Sequence, residues 1–516
     1  MGFFGKSKDP AAASASSVQK EIKKGASATA LDFSKRQLQD IPSNIRNAQA
    51  TELILSENDI TGIPEELAEM PNLAVLDLTK NRINGLDPCV GRMKNLRELY
   101  LAHNKLFYCP LTPELGKLSG LRKLDLSSNQ LDDLPVCIAS LASLTHLDLS
   151  NNAIKELLPE YGKLSSLEKL NVGKNKLTKL PVEMGNWRNL RDLNVSENQL
   201  QRLPSQLGQC KALQVLDVGF NKLRELPDEL ADMQQIHTII ARDNPTLETV
   251  PPLNKLQALK TINLRNTKVD GYPEGIFSLP ALTDLVLREN PQLRQLSPTV
   301  GQLRSLVVLD LHSNKLRALP QSIGQLVRLK VLDLRGNNLN QDSLPREVFG
   351  LSELRKLFLG TCQFGQVPPE IGALSNLREL SLENNRITAL PDSLGNLKKL
   401  QRLILSGNKL TQLPSCIGKL TELTILECKA NEISDITEDI GNLKDLAKFD
   451  LSSNMVVELP WELHHCSSLT TLDVAKNAIV VPPAAVIKSG TSSILKWLKN
   501  NEAAGRKQKV SGLGVV

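Results

Sequence analysis

Six histidines and eight cysteines are the side chains here best suited to metal or nucleophilic chemistry. His464, His465 and Cys466 adjoin and look like a ligand cluster, yet no further Cys or His stands at zinc-finger spacing from them. Cys210, Cys428, Cys466 and Cys109 occupy positions where leucine recurs elsewhere in the chain. Cys89, Cys137 and Cys416 share one place before a Val or Ile, and no C-x-x-C occurs. These read as reduced structural thiols rather than disulfides or metal ligands. No phosphate-binding glycine loop, G-x-S-x-G elbow or kinase signature is present. The expectation is a binding module with no catalytic residue, metal or cofactor.

Binding chemistry is more visible. Arg242, Arg265, Arg288, His312 and Arg335 follow one another at intervals of 23 or 24 residues. Asp310 and Asp333 flank the far end, and Phe358, Glu379 and Glu383 come next. The equivalent position elsewhere is small: Ser127, Ser150, Gly173, Ser196, Gly219, Ser406 and Ser452. On adjacent strands ~4.8 Å apart, the five basic side chains would form a stripe ~20 Å long. Arginine beside an aromatic is typical of protein interfaces, so these ten residues are the candidate partner site. The alternative is a solvated face on which arginines and carboxylates pair internally, contributing little.

Such spacing requires a stacked repeat. In residues 121–162 the pattern L-x-x-L-x-L-x-x-N-x-L occurs twice, with Asn129 and Asn152 in register. Leu124 and Leu126 alternate with polar residues, as in a short strand with its leucines inward. An L-P-x-x-[IL]-G-x-L segment returns the chain along the outer face. The asparagine position recurs from Asn58 to Asn477; with Arg36 it marks 20 repeats, 17 of them carrying Asn. An amide there donates and accepts, so a stack of them forms a ladder. The predicted fold is α/β: a solenoid, or horseshoe, of about 20 repeats with a parallel concave sheet. Extra residues at 106–113 and 339–344 are expected to bulge at the rim.

The chain divides into a flexible basic tail (1–28), the solenoid (29–483), a C-terminal capping helix (484–501) and a basic tail (502–516). The cap follows from Ile494, Leu495 and Leu498 on one helical face, which would cover the exposed end of the stack; Trp497 and the lysines give it a second, membrane-surface reading. The net charge of +6 resides in the two ends. Aromatic content of 3% offers no stacking platform, so nucleic acid is not an expected partner. The sequence shows neither a membrane-spanning run nor a signal-peptide core, and a cytoplasmic location is expected. Gly2, followed by Phe3, Phe4 and lysines, is a candidate acylation site for peripheral membrane contact, although Lys6 stands where Ser or Thr is expected.

The repeat with L-P-x-x-I-G-x-L and the closing P-P-x-x-V-I-x-x-G-T-x-x-I-L-x-W-L resemble the intracellular Ras-group leucine-rich repeat proteins, which include the suppressor-of-clear type scaffold. The resemblance covers about residues 29–500. It implies a non-enzymatic adaptor linked to a Ras-like small GTPase and a protein phosphatase catalytic subunit. NKLFYCPLTP, ELPWEL and ILKWLKNNEAAGRKQKVSGLG are similar to segments of social-amoeba members of the group, which implies roles in actin remodelling and cell movement. A regulatory subunit held against one enzyme, such as a phosphatase, is the alternative. Residues 1–30 contain no basic–Val/Ile–x–aromatic docking motif.

Overall fold

Every repeat spends its leucines the same way. In the coil that begins at Leu121, the side chains of Leu121, Leu124, Leu126, Leu131, Leu134, Ile138 and Leu141 are all buried. Three-residue strands follow the L-x-L segments, and five-residue 3-10 helices follow the prolines of the outer segments. The computed structural model describes residues 10–24, 29–107 and 111–510; the side chains of 10–15, 24 and 504–510 are outside the description.

Two compact units divide the chain near residue 263. In the first, ten parallel strands from Ala30–Asp32 to Thr238–Ile240 pair in sequence order. Nine parallel strands from Asp284–Val286 to Thr471–Asp473 do the same in the second. This is the predicted leucine-rich repeat architecture.

The asparagine ladder holds the coils in register. Asn221 Oδ1 accepts from Leu200 N at 2.9 Å, while Nδ2 donates to the carbonyls of Val195 at 3.0 Å and Val218 at 3.1 Å. One amide therefore satisfies two backbone groups of the preceding coil and one of its own. This explains Arg36. The first coil has no predecessor to bind, so its side chain is released to meet Glu21 at 3.4 Å. At Cys362 the thiol takes over, donating to the carbonyls of Leu334 and Gly360 at 3.5 Å.

The residue before each ladder position adopts φ near +55°, whatever its type: Glu197, Phe220, Ser313 and Ala430 all do so. Only Gly336 and Gly407 fit that conformation without strain. The backbone N–H of this residue bonds the next coil, as Ala430 N does to Ser452 O at 2.9 Å, and that bond enforces the turn. On the outer face coils approach closely: a Cβ on Gly162 would lie 2.8 Å from Glu183 O, so the recurrent I-G glycine is a packing requirement. The two insertions leave the ladder intact or nearly so. Leu106 N still reaches Asn129 Oδ1 at 3.1 Å, and Gln341–Ser343 form a small 3-10 turn capped by Asn340.

The four α-helices of the described residues are α1 (Pro10–Lys24), α2 (Glu65–Ala68), α3 (Ala484–Lys488) and α4 (Thr491–Val510). Residues 10–24, read from composition as part of a flexible tail, form α1. Its Val18 and Ile22, one turn apart, are buried, and Asn44 Nδ2 bonds the Gln19 carbonyl at 3.1 Å. Two apolar residues suffice because α1 needs only a narrow stripe to cover one coil. The helix expected at 484–501 is two helices, and α4 continues to Val510 through residues assigned to the basic tail. Ile494 and Leu498 are buried, and Trp497 stacks on Trp461 at 5.6 Å, as a cap requires.

Candidate functional site

Each strand exposes three residues on the open face of its sheet, at six, four and two positions before the ladder. The acidic-amide run at the middle position has a structural task. Asp125, Asp148, Asp217 and Asp450 each accept the backbone N–H two residues on at 2.9 Å, closing the strand's exit. Burial pushes the Asp125 and Asp217 carboxyls up despite those bonds.

In the second unit the stripe residues are engaged with carboxylates of the same face. Arg265 Nε donates to Glu289 Oε1 at 3.0 Å. Arg288 lies 3.9 Å from Glu289 and 3.8 Å from Asp310. Arg335 Nε donates to Asp333 Oδ1 at 3.0 Å, and its guanidinium covers the Phe358 ring. Asp310 Oδ1 accepts from His312 N at 3.1 Å. Glu383 lies across Gly360, where a Cβ would collide with its carboxylate. Burial raises its carboxyl, opposed by the Arg335 charge. The arginine side chains are only 25–34% exposed, and the face alternates in sign rather than being uniformly basic.

Five buried polar atoms of this face have no hydrogen-bond partner among the described residues: Arg288 Nε, His312 Nδ1, Ser381 Oγ, Glu383 Oε2 and Arg402 Nε. Native structures leave few such groups, so hydrogen bonding within this face is incomplete. Glu379 is engaged separately, with Lys356 at 3.1 Å and Arg402 at 3.6 Å. Arg242 belongs to the first unit, where its guanidinium stands 4.9 Å from the Phe220 ring centroid.

Apart from Glu379, the position six before the ladder is marked in the sequence only by strict alternation. In the first unit it supplies Lys123, His146 and Lys169, which with Tyr100, Asp125 and Asp148 line a shallow cavity of ≈ 340 Å³. Tyr100 Oη donates to Glu98 Oε2 at 2.6 Å, and Lys123 reaches Glu98 at 3.0 Å. Burial works to raise the Glu98 carboxyl, but these two partners outweigh it and hold it low. His146 is pushed down by burial and by Lys169 and Lys123. Phe107 is 45% exposed; Tyr108 and Cys109 lie outside the described residues, as does Gly2.

Among the described residues Cys89, Cys210, Cys362, Cys416, Cys428 and Cys466 are free thiols. Burial pushes the thiols of Cys89, Cys210 and Cys466 up to about 11, which keeps them protonated and unreactive. No helix of the described residues is long and apolar enough to cross a membrane.

Leucine-rich repeat models match residues 108–198 and 368–474 as a leucine-rich repeat region, 48–106 and overlapping stretches of 257–364 as leucine rich repeat, and 188–232 as a pair of repeats. Leucine-rich repeat protein lrrA of Dictyostelium discoideum is 43% identical over 83 residues, a match spanning 16% of each chain. A leucine-rich repeat protein of Leptospira interrogans superimposes with a TM-score of 0.66 at 34% identity, covering 73% of this chain and 94% of that one. A plant peptide hormone receptor, RGFR1 in complex with RGF2, gives 0.62 at 25% identity over 89% of this chain and 84% of that one. Repeat, ladder and similarity agree that this chain belongs to the leucine-rich repeat family, whose members are in general non-catalytic scaffolds for binding proteins.

Proposed function

We propose that this protein is a scaffold of intracellular signalling that holds a Ras-like small GTPase against the sheet face of its second unit, in pathways that remodel actin during cell movement. The observation that carries the reading is the group of unpartnered buried atoms on Arg288, His312, Ser381 and Glu383, around the Arg335–Phe358 pair. A partner that completes those hydrogen bonds gains their full value, because leaving them unmade costs ~1–3 kcal/mol each. Since the face alternates in sign, the partner is selected by matching pairs rather than by net charge. The peptide-bound plant receptor illustrates a solenoid of this kind engaging a protein ligand.

Capture of a purified Ras-like GTPase, loaded with a GTP analogue or with GDP, tests the proposal. Reversing Arg265 and Arg288 to glutamate should abolish capture, because a desolvated charge contact is worth about 2–5 kcal/mol. A matched reversal of Lys399 and Lys419 controls for net charge. Retained capture in the Arg265→Glu/Arg288→Glu protein overturns the site, and no capture by the parent overturns the partner. Affinity purification in mild salt separates a scaffold, with many partners at low occupancy, from a phosphatase regulatory subunit, with one stoichiometric enzyme.

A further inference from the structure

The outer turn Trp461–His465 and helix α4 meet at the end of the second unit, through the Trp461–Trp497 stack. Beside that stack, His464, His465 and Glu502 bring one ligand atom each to within 4.8 Å of one another. Nothing in the residue spacing joins Glu502 to the histidines, since it lies in the stretch whose composition reads as a basic tail. The neighbouring Cys466 is excluded, since its thiol faces the core and donates to Ile440 O at 3.2 Å.

We propose that His464, His465 and Glu502 bind one divalent transition-metal ion of the Zn²⁺ class, clamping α4 to the last outer turn. His464 Nδ1 lies 2.8 Å from the Trp461 carbonyl, which can only accept, so Nδ1 carries the proton. That leaves the Nε2 lone pair directed toward Glu502 Oε2, 3.8 Å away. Two electron-rich atoms facing each other at this distance are too far apart for a direct hydrogen bond. They suit a cation with bonds of about 2.0–2.1 Å to each. A backbone carbonyl orienting a ligating imidazole through its other nitrogen is the usual outer partner of such a site.

The environment is consistent with this reading. The His464 side chain is 10% exposed and Glu502 25%, so the pair is shielded but reachable. His465 is exposed, with its ring 4.1 Å from that of His464, and can close on the ion by side-chain rotation alone. Two imidazoles and one carboxylate select Zn²⁺ and its neighbours over Mg²⁺ or Ca²⁺, which prefer all-oxygen shells. Three protein ligands leave a fourth position for water.

The test is calorimetric titration of Zn²⁺ into the chelator-stripped full chain, with thermal melts in parallel. One equivalent should bind and raise the melting temperature, while Mg²⁺ should do neither. His465→Ala removes an exposed side chain and should leave folding intact while weakening Zn²⁺ binding by about tenfold or more; Glu502→Gln should do the same. A parent chain that takes up no Zn²⁺, or variants that bind it with parental affinity, would overturn the site.

Discussion

The guanidinium of Arg335 lies 4.8 Å from the centroid of the Phe358 ring while its Nε donates to Asp333. Two contacts thus fix one side chain, an aromatic face and a carboxylate, and the charge of Glu383 adds to the hold. A pre-ordered arginine loses little entropy on binding, which is what a central contact of an interface needs. Phe358→Ala should therefore reduce GTPase capture by about tenfold or more, as expected for truncating an anchor. Thermal melts would show whether the loss comes from the face or from unfolding. Parental capture by Phe358→Ala would move the contact centre elsewhere, first to the cavity beside Tyr100.

Asn221→Ala should destabilise the first unit by ~1–3 kcal/mol, because it strands Leu200 N and the Val195 carbonyl inside the stack. Hydrogen exchange should locate the damage in the preceding coil and spread it to neighbours. An unchanged melt together with unchanged exchange at Leu200 would contradict the ladder's energetic role.

Ala430 holds φ at +54°, a conformation that costs a non-glycine residue about 1–2 kcal/mol. Glycine removes that cost but loses ~0.5–1 kcal/mol of unfolded-state advantage. Ala430→Gly should thus stabilise by about 0.5–1 kcal/mol, and Ala430→Val should destabilise. Denaturant midpoints of the two variants on either side of the parent would bear this out; the reverse order would refute it.

Asp125 is pushed up by burial against the pull of the Ser127 backbone N–H, with Asp148 adding to the push. A folded-state carboxyl raised above its unfolded value favours the folded state below the unfolded pKa. That contribution is lost as pH rises through the folded value. Asp125→Asn keeps the acceptor and removes the charge, as Asn171 and Asn194 already do in neighbouring coils. The variant should melt above the parent at neutral pH, and the gap should close on acidification below the ordinary carboxylate range. A gap independent of pH would place the gain elsewhere.

The ladder and the strands were legible in the sequence because leucine at alternate positions and asparagine at the turn each meet a demand of the backbone itself. The left-handed residue before the asparagine was not, since Glu197, Phe220 and Ala430 share no chemistry; the next coil imposes the conformation. Helix α1 was hidden by its composition, because Val18 and Ile22 are the only buried apolar residues among its described side chains. The stripe of arginines was legible as positions but not as pairs. Glu289 contributes from a site just before the ladder, where repeat spacing gives no hint of its reach to Arg265. His464 and Glu502 were further apart still, joined only by the way α4 turns back over the last coil.

Each ladder amide reaches backward: Asn221 ties down Leu200 and Val195, which precede it, and is itself unaided by its own coil's later residues. A coil is consequently finished only after the asparagine of its successor has been synthesised. On a ribosome adding roughly 5–20 residues per second, that is a delay of about 1–5 s per coil. The growing edge of the nascent stack is always one turn short of complete, with free carbonyls turned toward chain still to emerge. At the far end Asn477 is the last ladder amide, and the hydroxyl of Thr491, at the start of α4, accepts from Leu472 N at 2.9 Å. Translation must run through Thr491 before the coil of Leu472 can settle, which makes that coil later than those before it to become resistant to proteolysis.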